Sequence, residues 1–392
     1  MRVIHSVGGI GERLGGPSRT VTSLCSSIGR SGIAVDLVAG VDRIADDRLI
    51  RPDASSVNLC LVDAWGSGRL QLYPGFARTL TGLLSESAQP TLIHDHGIWG
   101  YTNFAAWQAA RGRNVPYVLS PRGMLEPWAL EFRARKKKLA WLLYQKRIVT
   151  SAAAVVATSE QECENVKTLF PKLPVAIIPN GVDMPAVFDH LTARTNDDGG
   201  GTVLFVSRIH PIKNLIGLLH AWKSLSPELS ASWRLKIAGP DEGGHAIEIA
   251  NLARELGLQN SVELIGPVRD DSKATVYQSA DVFVLPSFSE NFGVVVAEAL
   301  AYGLPVVATT GTPWQELASR GCGWWVTPEP EALAGAITKA MRCTNEERRS
   351  MGALGRAYAQ DEFSWDKIAE QTIEVYRWVL GQGVKPGCVR TD

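Results

Sequence analysis

The stretch that decides the fold is DVFVLPSFSENFGVVVAE, residues 281–298. Its first part, 281–285, is a short apolar run that ends at a proline, which predicts a buried strand followed by a turn. A second apolar run begins after Gly293 and has the composition of a buried helix. A strand, a loop and a helix in direct succession are typical of a parallel α/β sheet.

Two acids, Glu290 and Glu298, lie in the loop and the helix of this stretch. Ligands of α/β sheets bind beyond the carboxyl ends of the strands, and free N–H groups at a helix start attract phosphate. With the helix starting near Gly293, Glu298 lies roughly 9 Å further along its axis at about 1.5 Å per residue. The pair could therefore contact opposite ends of a sugar-nucleotide. The alternative is that both acids are solvated and complement the helix dipole.

A basic turn, VSRIHPIKN at residues 206–214, follows another predicted strand. Arg208 and Lys213 flank Pro211, so they could converge on a diphosphate, the arginine as a planar fork and the lysine as a point charge. For the turn alone, a solvated loop is the alternative. Two cations and two carboxylates beyond strands in the same half of the chain favour a phosphosugar site.

Short apolar strands alternate with helical stretches in both halves, which is typical of parallel sheets wound with helices. A polar, glycine-rich run at 195–201 predicts a linker. We expect a first domain over 1–190, a linker over 191–201 and a second domain over 202–362. An amphipathic helix is expected over 363–381, with Ser364 as its cap. The predicted strands are 2–7, 34–39, 91–94, 117–120, 153–158, 175–178, 202–207, 234–238, 262–265, 281–285 and 306–309.

Composition excludes several classes of protein. The chain has 392 residues, more than one hydrophobic core usually accommodates. Its 40 basic and 40 acidic residues cancel, which argues against a nucleic-acid binder. The six cysteines lack the spacing of a disulfide framework or zinc site. Without a signal-peptide pattern or a long apolar run, we expect a cytoplasmic protein, with contact to the inner face of the membrane left open.

A glycine-rich loop, GGIGERLGG at residues 8–16, follows the first predicted strand and precedes a helix expected to begin near Ser18. Glycines let backbone amides approach a phosphate, and a helix start adds partial positive charge. A dinucleotide-binding loop would need closer glycine spacing and an acid that ends the next strand, whereas Asp36 lies before the end of that strand. A dehydrogenase is therefore disfavoured.

Two further strand ends carry candidate residues. His94 and His96 flank an acid at the end of one strand. A metal site there would need a ligand that the sequence does not identify, so packed structural histidines are the alternative, and we expect His96 to face a cleft and His94 to be partly packed. Arg122 follows the next strand. It cannot accept a proton near neutral pH, so its expected role is electrostatic, with a plain salt bridge as the alternative.

Residues 133–147, RARKKKLAWLLYQKR, combine cations with aromatic and aliphatic side chains in a helix-favouring segment. This composition suits an anionic membrane surface or a polyprenyl-diphosphate acceptor. The alternative is a solvated helix that packs Trp141, Leu142 and Leu143 on the core.

These motifs together resemble the retaining glycosyltransferases of family 4, which have the GT-B fold. The resemblance rests on residues 208–214, on Glu290 and Glu298, and on AYGLPVVAT at 301–309, and it extends over nearly the whole chain. It implies an α/β protein of two Rossmann-like domains that face each other across a cleft. It also implies that the helix at 363–381 crosses back onto the N-terminal domain.

The resemblance further implies what individual residues do. Arg208 and Lys213 would bind the donor diphosphate, Glu298 the ribose and Glu290 the transferred sugar. The full donor-binding set that it implies is Gly15, Gly16, Arg208, Lys213, Glu290, Asn291, Phe292, Gly293 and Glu298. The set implied for catalysis is Glu290, Arg208, Lys213, Arg122 and His96. No metal ion or cofactor is implied, because cationic side chains would stabilise the departing diphosphate.

One position departs from the family, in which a histidine lies beside the reacting sugar where this chain has Arg122. The expected reaction is transfer of a sugar, with retention, from a UDP- or GDP-linked donor to a glycan or lipid-linked saccharide hydroxyl in polysaccharide biosynthesis. Attack on the same face of the sugar and a covalent intermediate on Glu290 both stay open. The alternatives are a 2-epimerase of GT-B fold and a non-catalytic carbohydrate-binding protein.

Overall fold

A computed structural model of the chain describes residues 1–42, 48–65, 72–131, 134–185, 200–268 and 270–391. The chain forms two compact units. The first unit comprises Met1–Gly181 together with Trp365–Asp392, and the second unit comprises Val182–Ser364. Each unit contains one largely parallel sheet with helices packed against it, so the two predicted α/β sheets are confirmed.

The strands are β1 Arg2–Val7, β2 Ala34–Val41, β3 Val57–Asp63, β4 Thr91–His96, β5 Tyr117–Ser120, β6 Ala154–Ala157, β7 Val175–Ile177, β8 Gly201–Val206, β9 Trp233–Ala238, β10 Val262–Gly266, β11 Val282–Leu285, β12 Val306–Thr309, β13 Gly323–Val326 and β14 Val389–Arg390. The α-helices are α1 Gly16–Arg30, α2 Phe76–Ser85, α3 Tyr101–Arg113, α4 Pro127–Glu131, α5 Ala134–Ala140, α6 Lys146–Thr150, α7 Glu160–Leu169, α8 Leu215–Lys223, α9 Pro227–Ser232, α10 His245–Glu255, α11 Asp270–Gln278, α12 Val294–Ala301, α13 Glu316–Ser319, α14 Pro330–Arg342, α15 Asn345–Phe363 and α16 Trp365–Val379.

The sheet of the first unit has the strand order β14-β7-β6-β5-β4-β1-β2-β3. Its pairings are parallel except where β14 joins β7. The chain first adds strands on one side of β1 and then returns to add β4 on the other side. This reversal leaves a crevice at the carboxyl ends of β1 and β4, where α/β sheets bind ligands.

The sheet of the second unit is parallel and has the order β10-β9-β8-β11-β12-β13. Here the chain reverses between β8 and β11. The basic turn follows β8, and the loop at 286–293 that carries Glu290, called the acidic loop from here on, follows β11. Both predicted motifs therefore lie at the reversal point of this sheet, which explains why residues far apart in sequence can share one site.

The last helix, α16, belongs to the first unit, as the resemblance implied. It packs on α1 and buries Ile368, Ile373 and Tyr376 in the apolar cluster between that helix and the sheet. Such a face of apolar residues at helical spacing is what drives a surface helix onto a core. None of the helices in the described ranges is both long and apolar enough to cross a membrane.

Several boundaries differ from the sequence-based expectations. The first unit ends at Gly181 rather than at 190, and Gly201 begins β8 instead of ending the linker. The rest of the expected linker, 191–200, lies outside the described residues except for its last position. Ser364 separates two helices, because α15 ends at Phe363 and α16 begins only after that serine. The strands β3, β13 and β14 were not predicted.

Candidate functional site

In the second unit, one backbone hydrogen bond joins the loop after β8 to the loop after β11, and another joins the loop after β11 to the loop after β12. A turn of 3-10 helix, Pro211–Lys213, ends the basic turn. The N–H of Phe288 donates to the carbonyl of Ile212 at 2.9 Å, and the N–H of Glu290 donates to the carbonyl of Gly311 at 2.8 Å. The basic turn and the acidic loop therefore lie side by side and form one surface at the reversal point of the sheet.

On this surface, the Lys213 ammonium contacts the Glu290 carboxylate. The hydroxyl of Ser287 donates to the same carboxylate at 2.8 Å. The Lys213 and Glu290 side chains are only 8% and 12% exposed. Because charges removed from water are costly unless paired, each of these groups holds the other in place. The result is a fixed pair of opposite charges, suited to contact a sugar hydroxyl and a phosphate.

Glu298 is held by two side chains of α11 that sequence reasoning missed. Lys273 Nζ donates to one carboxylate oxygen at 2.5 Å, and the Tyr277 hydroxyl donates to the other at 2.8 Å. Burial, and secondarily the charge of Glu298, raise the pKa of Tyr277 well above its ordinary value. The phenol therefore stays protonated as a donor. The only signal in the sequence was the spacing of Lys273 and Tyr277, one helical turn apart.

The remaining donor-side candidates occupy distinct environments. Arg208 pairs with Glu242 at 2.6 Å, and both side chains are about half exposed. The two cations of the basic turn thus have different carboxylate partners.

The loop residues before α12 chiefly shape the site. Gly293 has φ +73°, in the left-handed region, and precedes α12. Asn291 is half-buried, whereas the Phe292 ring is buried and its carbonyl accepts a hydrogen bond from Trp314 at 2.6 Å, so Phe292 chiefly packs the loop on the core.

In the first unit, the glycine loop reaches α1 two residues earlier than expected, since the helix begins at Gly16 rather than near Ser18. Gly15 has φ +77°, a conformation that favours glycine. A Cβ atom added at Gly15 or Gly16 would meet no atom within 4 Å. The start of α1 therefore faces open space, which is what a phosphate would need to reach its amides.

Three histidines meet at the reversal point of this sheet. His5 on β1 pairs in register with His94 on β4, and His96 follows two residues later. All three side chains are buried, at 0%, 1% and 3% exposure. His96 therefore does not face a cleft as expected. Burial lowers the pKa of His5 to about 3 and holds those of His94 and His96 well below 6.5, so the three rings are neutral near pH 7.

The cluster of His5, His94 and His96 supplies the third histidine that a metal site would need, since their ligand atoms lie within 4.8 Å of one another. The geometry favours hydrogen bonds instead. His5 Nδ1 lies 2.9 Å from His96 Nε2, whereas two nitrogens bound to one tetrahedral zinc ion at about 2.0–2.1 Å would lie about 3.3 Å apart. A proton shared between these rings accounts for the contact, so we assign no metal to the cluster.

Arg122 lies beside these histidines with φ +54°, unusual for a residue with a side chain. Its guanidinium donates to Thr20 Oγ1 at 2.9 Å, to Asn180 Oδ1 at 3.3 Å and to His96 Nδ1 at 3.1 Å. Its Nε is buried and has no hydrogen-bond partner in the described part of the chain. Burial lowers the pKa of Arg122 to about 10, which still leaves it charged at neutral pH.

The partners of Arg122 are all neutral acceptors. Among the described residues it forms no salt bridge, so the plain salt bridge considered above is not observed there. The buried carboxylate of Glu162 helps to keep Arg122 charged, but its oxygens accept hydrogen bonds from Gly123 and Thr158. A half-buried guanidinium whose hydrogen-bond partners are all neutral is suited to bind an anion.

The basic segment of the first unit comprises α5, a π-helical turn at Trp141–Gln145 and α6. Trp141 packs on the core between Trp99 and Phe170. Leu142 and Leu143, in contrast, are 81% and 71% exposed. The alternative that all three pack on the core is therefore wrong for both leucines. Residues 132 and 133 lie outside the described ranges.

Comparison with known proteins identifies the family. The model of the "Glycosyl transferase 4-like domain" matches residues 15–181, and that of "Glycosyl transferases group 1" matches residues 190–358. A D-inositol 3-phosphate glycosyltransferase of a Nocardioides species is 30% identical over 397 residues, which cover 93% of this chain and 85% of the relative. The enzyme of that name from Stackebrandtia nassauensis is 30% identical over 316 residues, with 75% and 70% coverage.

Solved structures agree in fold. Sucrose-phosphate synthase from Thermosynechococcus elongatus superimposes with a TM-score of 0.78 at 22% identity, covering 97% of this chain and 100% of that one. HepE from Anabaena, solved in complex with UDP and glucose, superimposes with a TM-score of 0.73 at 19% identity, covering 96% and 100%. The predicted fold class is confirmed by these neighbours. With matches in both halves of the sequence, the chain belongs to the group 1, family 4 glycosyltransferases of GT-B fold.

Proposed function

We propose that this glycosyltransferase moves a sugar, with retention and without a metal ion, from a nucleoside-diphosphate donor to a hydroxyl of an anionic saccharide acceptor. The observation that carries the proposal is the buried Lys213–Glu290 pair at the reversal point of the second sheet. Cleavage of the anomeric bond places positive charge on the sugar and negative charge on the diphosphate. A fixed carboxylate beside a fixed ammonium matches both charges.

The other donor-side residues follow from this placement. Glu298 lies on α12, one turn beyond the helix start, where its carboxylate can accept hydrogen bonds from ribose hydroxyls. Within the second unit, Arg208 would stabilise the departing diphosphate together with Lys213. In the first unit, the amides of Gly15 and Gly16 at the start of α1 are suited to bind a phosphate. These positive groups supply the electrostatic stabilisation that a divalent cation gives other transferases, so activity should survive EDTA.

Retention is better explained by same-face attack than by a covalent intermediate on Glu290. Lys213 and Ser287 both donate to this carboxylate. Hydrogen bonds to a carboxylate stabilise its charged form, which weakens it as a nucleophile. Glu290 would then position the sugar while an oxygen of the leaving diphosphate takes the acceptor proton. Proton NMR of the first-formed product gives its anomeric configuration and tests retention directly.

The acceptor is proposed to carry a phosphate or another anionic group, because Arg122 is a half-buried cation whose described hydrogen-bond partners are neutral. Relatives of this chain carry the name D-inositol 3-phosphate glycosyltransferase, which includes a phosphorylated compound, and HepE has been solved with UDP-glucose. We therefore propose a UDP-linked donor and a phosphorylated or lipid-linked saccharide acceptor, with polysaccharide biosynthesis as the setting.

The proposal is tested first by thermal shift with UDP-sugars and GDP-sugars, because a ligand that binds only the folded state raises the melting temperature. A donor that shifts melting is then incubated with candidate acceptors in the presence of EDTA. Transfer to acceptor supports the proposal. Release of UDP and an epimerised free sugar without an acceptor would instead identify a 2-epimerase, and donor binding without turnover a carbohydrate-binding protein.

Replacing Glu298 with alanine is expected to weaken donor binding about 10- to 100-fold with a smaller change in kcat, because one charged hydrogen-bond acceptor for the ribose is lost. Titration of UDP by calorimetry measures the effect. Glu255→Ala, an exposed acid on α10 of the same unit, is the matched control and should bind UDP as the wild type does. Equal UDP affinity in wild type and Glu298→Ala would refute the ribose assignment.

We also propose that the basic segment contacts an anionic membrane surface. Leu139, Leu142 and Leu143 are 60%, 81% and 71% exposed, and Lys138 and Lys146 are exposed beside them. Apolar side chains that enter the headgroup region, next to cations that attract anionic lipid, are the composition of an interfacial helix. This placement would bring the enzyme to a lipid-linked acceptor.

The double variant Leu142→Ser/Leu143→Ser is expected to bind anionic vesicles at least about tenfold more weakly. The reason is that two apolar side chains are no longer transferred from water into the headgroup region on binding. Vesicle sedimentation at constant ionic strength measures the change. The control is Leu354→Ser, which removes a half-exposed leucine from the second unit. If the wild type does not sediment with anionic vesicles, or if the double variant sediments equally well, the membrane proposal fails.

A further inference from the structure

We propose that Tyr376 of α16 is a positioning residue for Arg122 and acts through the three buried histidines. This inference rests on the proposed role of Arg122 in binding the anionic acceptor. Tyr376 is fully buried beneath the sheet and lies far from Arg122 in sequence. Its hydroxyl contacts two of the histidines, and the third contacts Arg122. Tyr376, the three histidines and Arg122 therefore form one continuous chain of hydrogen bonds, called the relay from here on.

The direction of the first hydrogen bonds is fixed by chemistry. A guanidinium can only donate, so His96 Nδ1 must accept from Arg122 NH2 at 3.1 Å. In a neutral imidazole the other nitrogen then carries the proton. His96 Nε2 therefore donates to His5 Nδ1 at 2.9 Å. By the same rule, the proton of His5 lies on its Nε2.

The remaining hydrogen bonds follow in the same direction. His5 Nε2 donates to the Tyr376 oxygen at 3.5 Å, the longest contact of the chain. The Tyr376 hydroxyl can then donate to His94 Nδ1 at 2.5 Å. His94 Nε2 in turn donates to Ser120 Oγ at 2.8 Å. Each of the six ring nitrogens thus has one partner, and all three histidines carry their proton on Nε2.

Tyr376 is the member that no apolar residue can replace, because its oxygen accepts from one histidine and donates to another. Phenylalanine would fit the same space but would leave His5 Nε2 and His94 Nδ1 buried without partners. Buried polar groups without partners are costly, so the rings are expected to shift or to exchange tautomers. His96 would then no longer present a fixed acceptor to Arg122, and the guanidinium would lose part of its orientation.

The first test needs no variant and no activity. Long-range ¹H–¹⁵N NMR of the histidine rings distinguishes the two neutral tautomers and the charged form. We expect three rings in the neutral Nε2–H form that do not titrate between about pH 8 and pH 5. Nδ1–H or charged rings would overturn the relay, as would stoichiometric uptake of Zn²⁺ that displaces the ring protons. These outcomes do not depend on whether the chain transfers a sugar.

The second test measures kinetics in Tyr376→Phe. We expect kcat/KM for the acceptor to fall about tenfold, while the UDP affinity of the second unit stays within about twofold of the wild type. Tyr358→Phe, which removes a buried tyrosine hydroxyl in the second unit, is the control and should change neither value. In Ser120→Ala, which removes only the last acceptor, we expect a smaller loss.

The outcomes separate this inference from the proposed function. If the wild type shows the expected tautomers but transfers no sugar, the proposed function fails while the relay stands. If the wild type transfers sugar and Tyr376→Phe equals it in acceptor kcat/KM, Tyr376 does not position Arg122. If Tyr376→Phe loses donor affinity to the same extent as acceptor kcat/KM, the effect is general destabilisation and the positioning role is overturned.

Discussion

In Lys213→Ala, kcat is expected to fall about 10²- to 10³-fold while the Kd of UDP rises by less than about tenfold. Preorganised charges aimed at a leaving group stabilise the transition state more than the bound substrate, and removal of one such group from an enclosed site typically has this effect. Lys213 meets the condition, because its side chain is only 8% exposed and is held against Glu290.

The structure also predicts how this variant couples to its partner. In Lys213→Ala the Glu290 carboxylate keeps its hydrogen bond from Ser287 but loses the one cation that contacts it in the described ranges. An unpaired buried charge destabilises the fold, so the single variant should also melt at a lower temperature. Lys213→Ala/Glu290→Gln removes both charges and should recover most of that melting temperature without recovering kcat.

Kinetic and thermal measurements on the same preparations distinguish the two effects. Lys223→Ala, an exposed lysine at the end of α8, is the control for removal of a positive charge from the same unit and should retain wild-type kcat. A kcat for Lys213→Ala within about twofold of the wild type would show that Lys213 does not stabilise the leaving diphosphate. A loss of UDP affinity as large as the loss of kcat would instead assign Lys213 to ground-state binding.

The second unit shows which parts of a site are visible in a sequence. Lys213 and Glu290 each follow an apolar strand within a few residues, so local pattern was enough to predict them. Lys273 and Tyr277 lie on a mostly polar helix, α11, whose sequence carries no turn or glycine signal. They reach Glu298 only because α11 packs beside α12. Contacts that form only by tertiary packing have no pattern in the local sequence that could predict them.

The first unit shows the same limit more strongly. The turn with His94 and His96 was predicted as a site from the strand end, but His5 lies inside β1 and reads as part of an apolar strand. Only the pairing of β1 with β4 makes His5 a neighbour of the other two. Tyr376 comes from the far end of the chain. The burial of His96, which contradicts its expected exposure, follows from these unseen partners.

Some predictions of strands and helix boundaries were wrong for identifiable physical reasons. In β13, Gly323–Val326, a glycine and two tryptophans lack the aliphatic run that marks a buried strand. Ser364 was predicted to cap the last helix, and it lies directly before α16 with φ −62° and ψ 141°, the extended backbone of an N-cap residue. Only the start of the segment was wrong, because Phe363 belongs to α15. Two helices that abut through one serine look like one amphipathic segment in sequence. The exposure of Leu142 likewise depends on the direction of a π-helical turn.

The first unit is expected to lose stability as the pH falls below about 6.5, at roughly 2.7 kcal/mol per pH unit. The unfolded chain takes up a proton on each histidine below that pH, whereas burial keeps His5, His94 and His96 neutral in the folded state. Their contribution is therefore fully present above 6.5. It decreases on acidification by about 1.4 kcal/mol per pH unit and per histidine.

One neighbouring group acts in the opposite direction. Burial raises the pKa of Asp95 from 3.8 to about 6, although it accepts hydrogen bonds from Ser6, Asn103 and Tyr117. Between these pKa values the folded state binds the proton and the unfolded state does not, so the contribution of Asp95 to the stability of the fold increases as the pH falls. Three histidines less one aspartate leave a net uptake of about two protons on unfolding near pH 5–6.

The other titratable groups around the three histidines are Arg122, Tyr376, Cys25 and Glu162. Arg122, with a pKa of about 10, stays charged, while burial raises the pKa values of Tyr376 and Cys25 and keeps both neutral.

Calorimetric unfolding at about pH 7, 6 and 5 measures the proton uptake, with UDP present to separate the transition of the second unit. In His220→Gln, which replaces an exposed histidine of α8, the uptake should be unchanged. Uptake of less than about one proton by the first unit would mean that the histidines are already charged when folded, and both the acid lability and the direction of the relay would then be wrong.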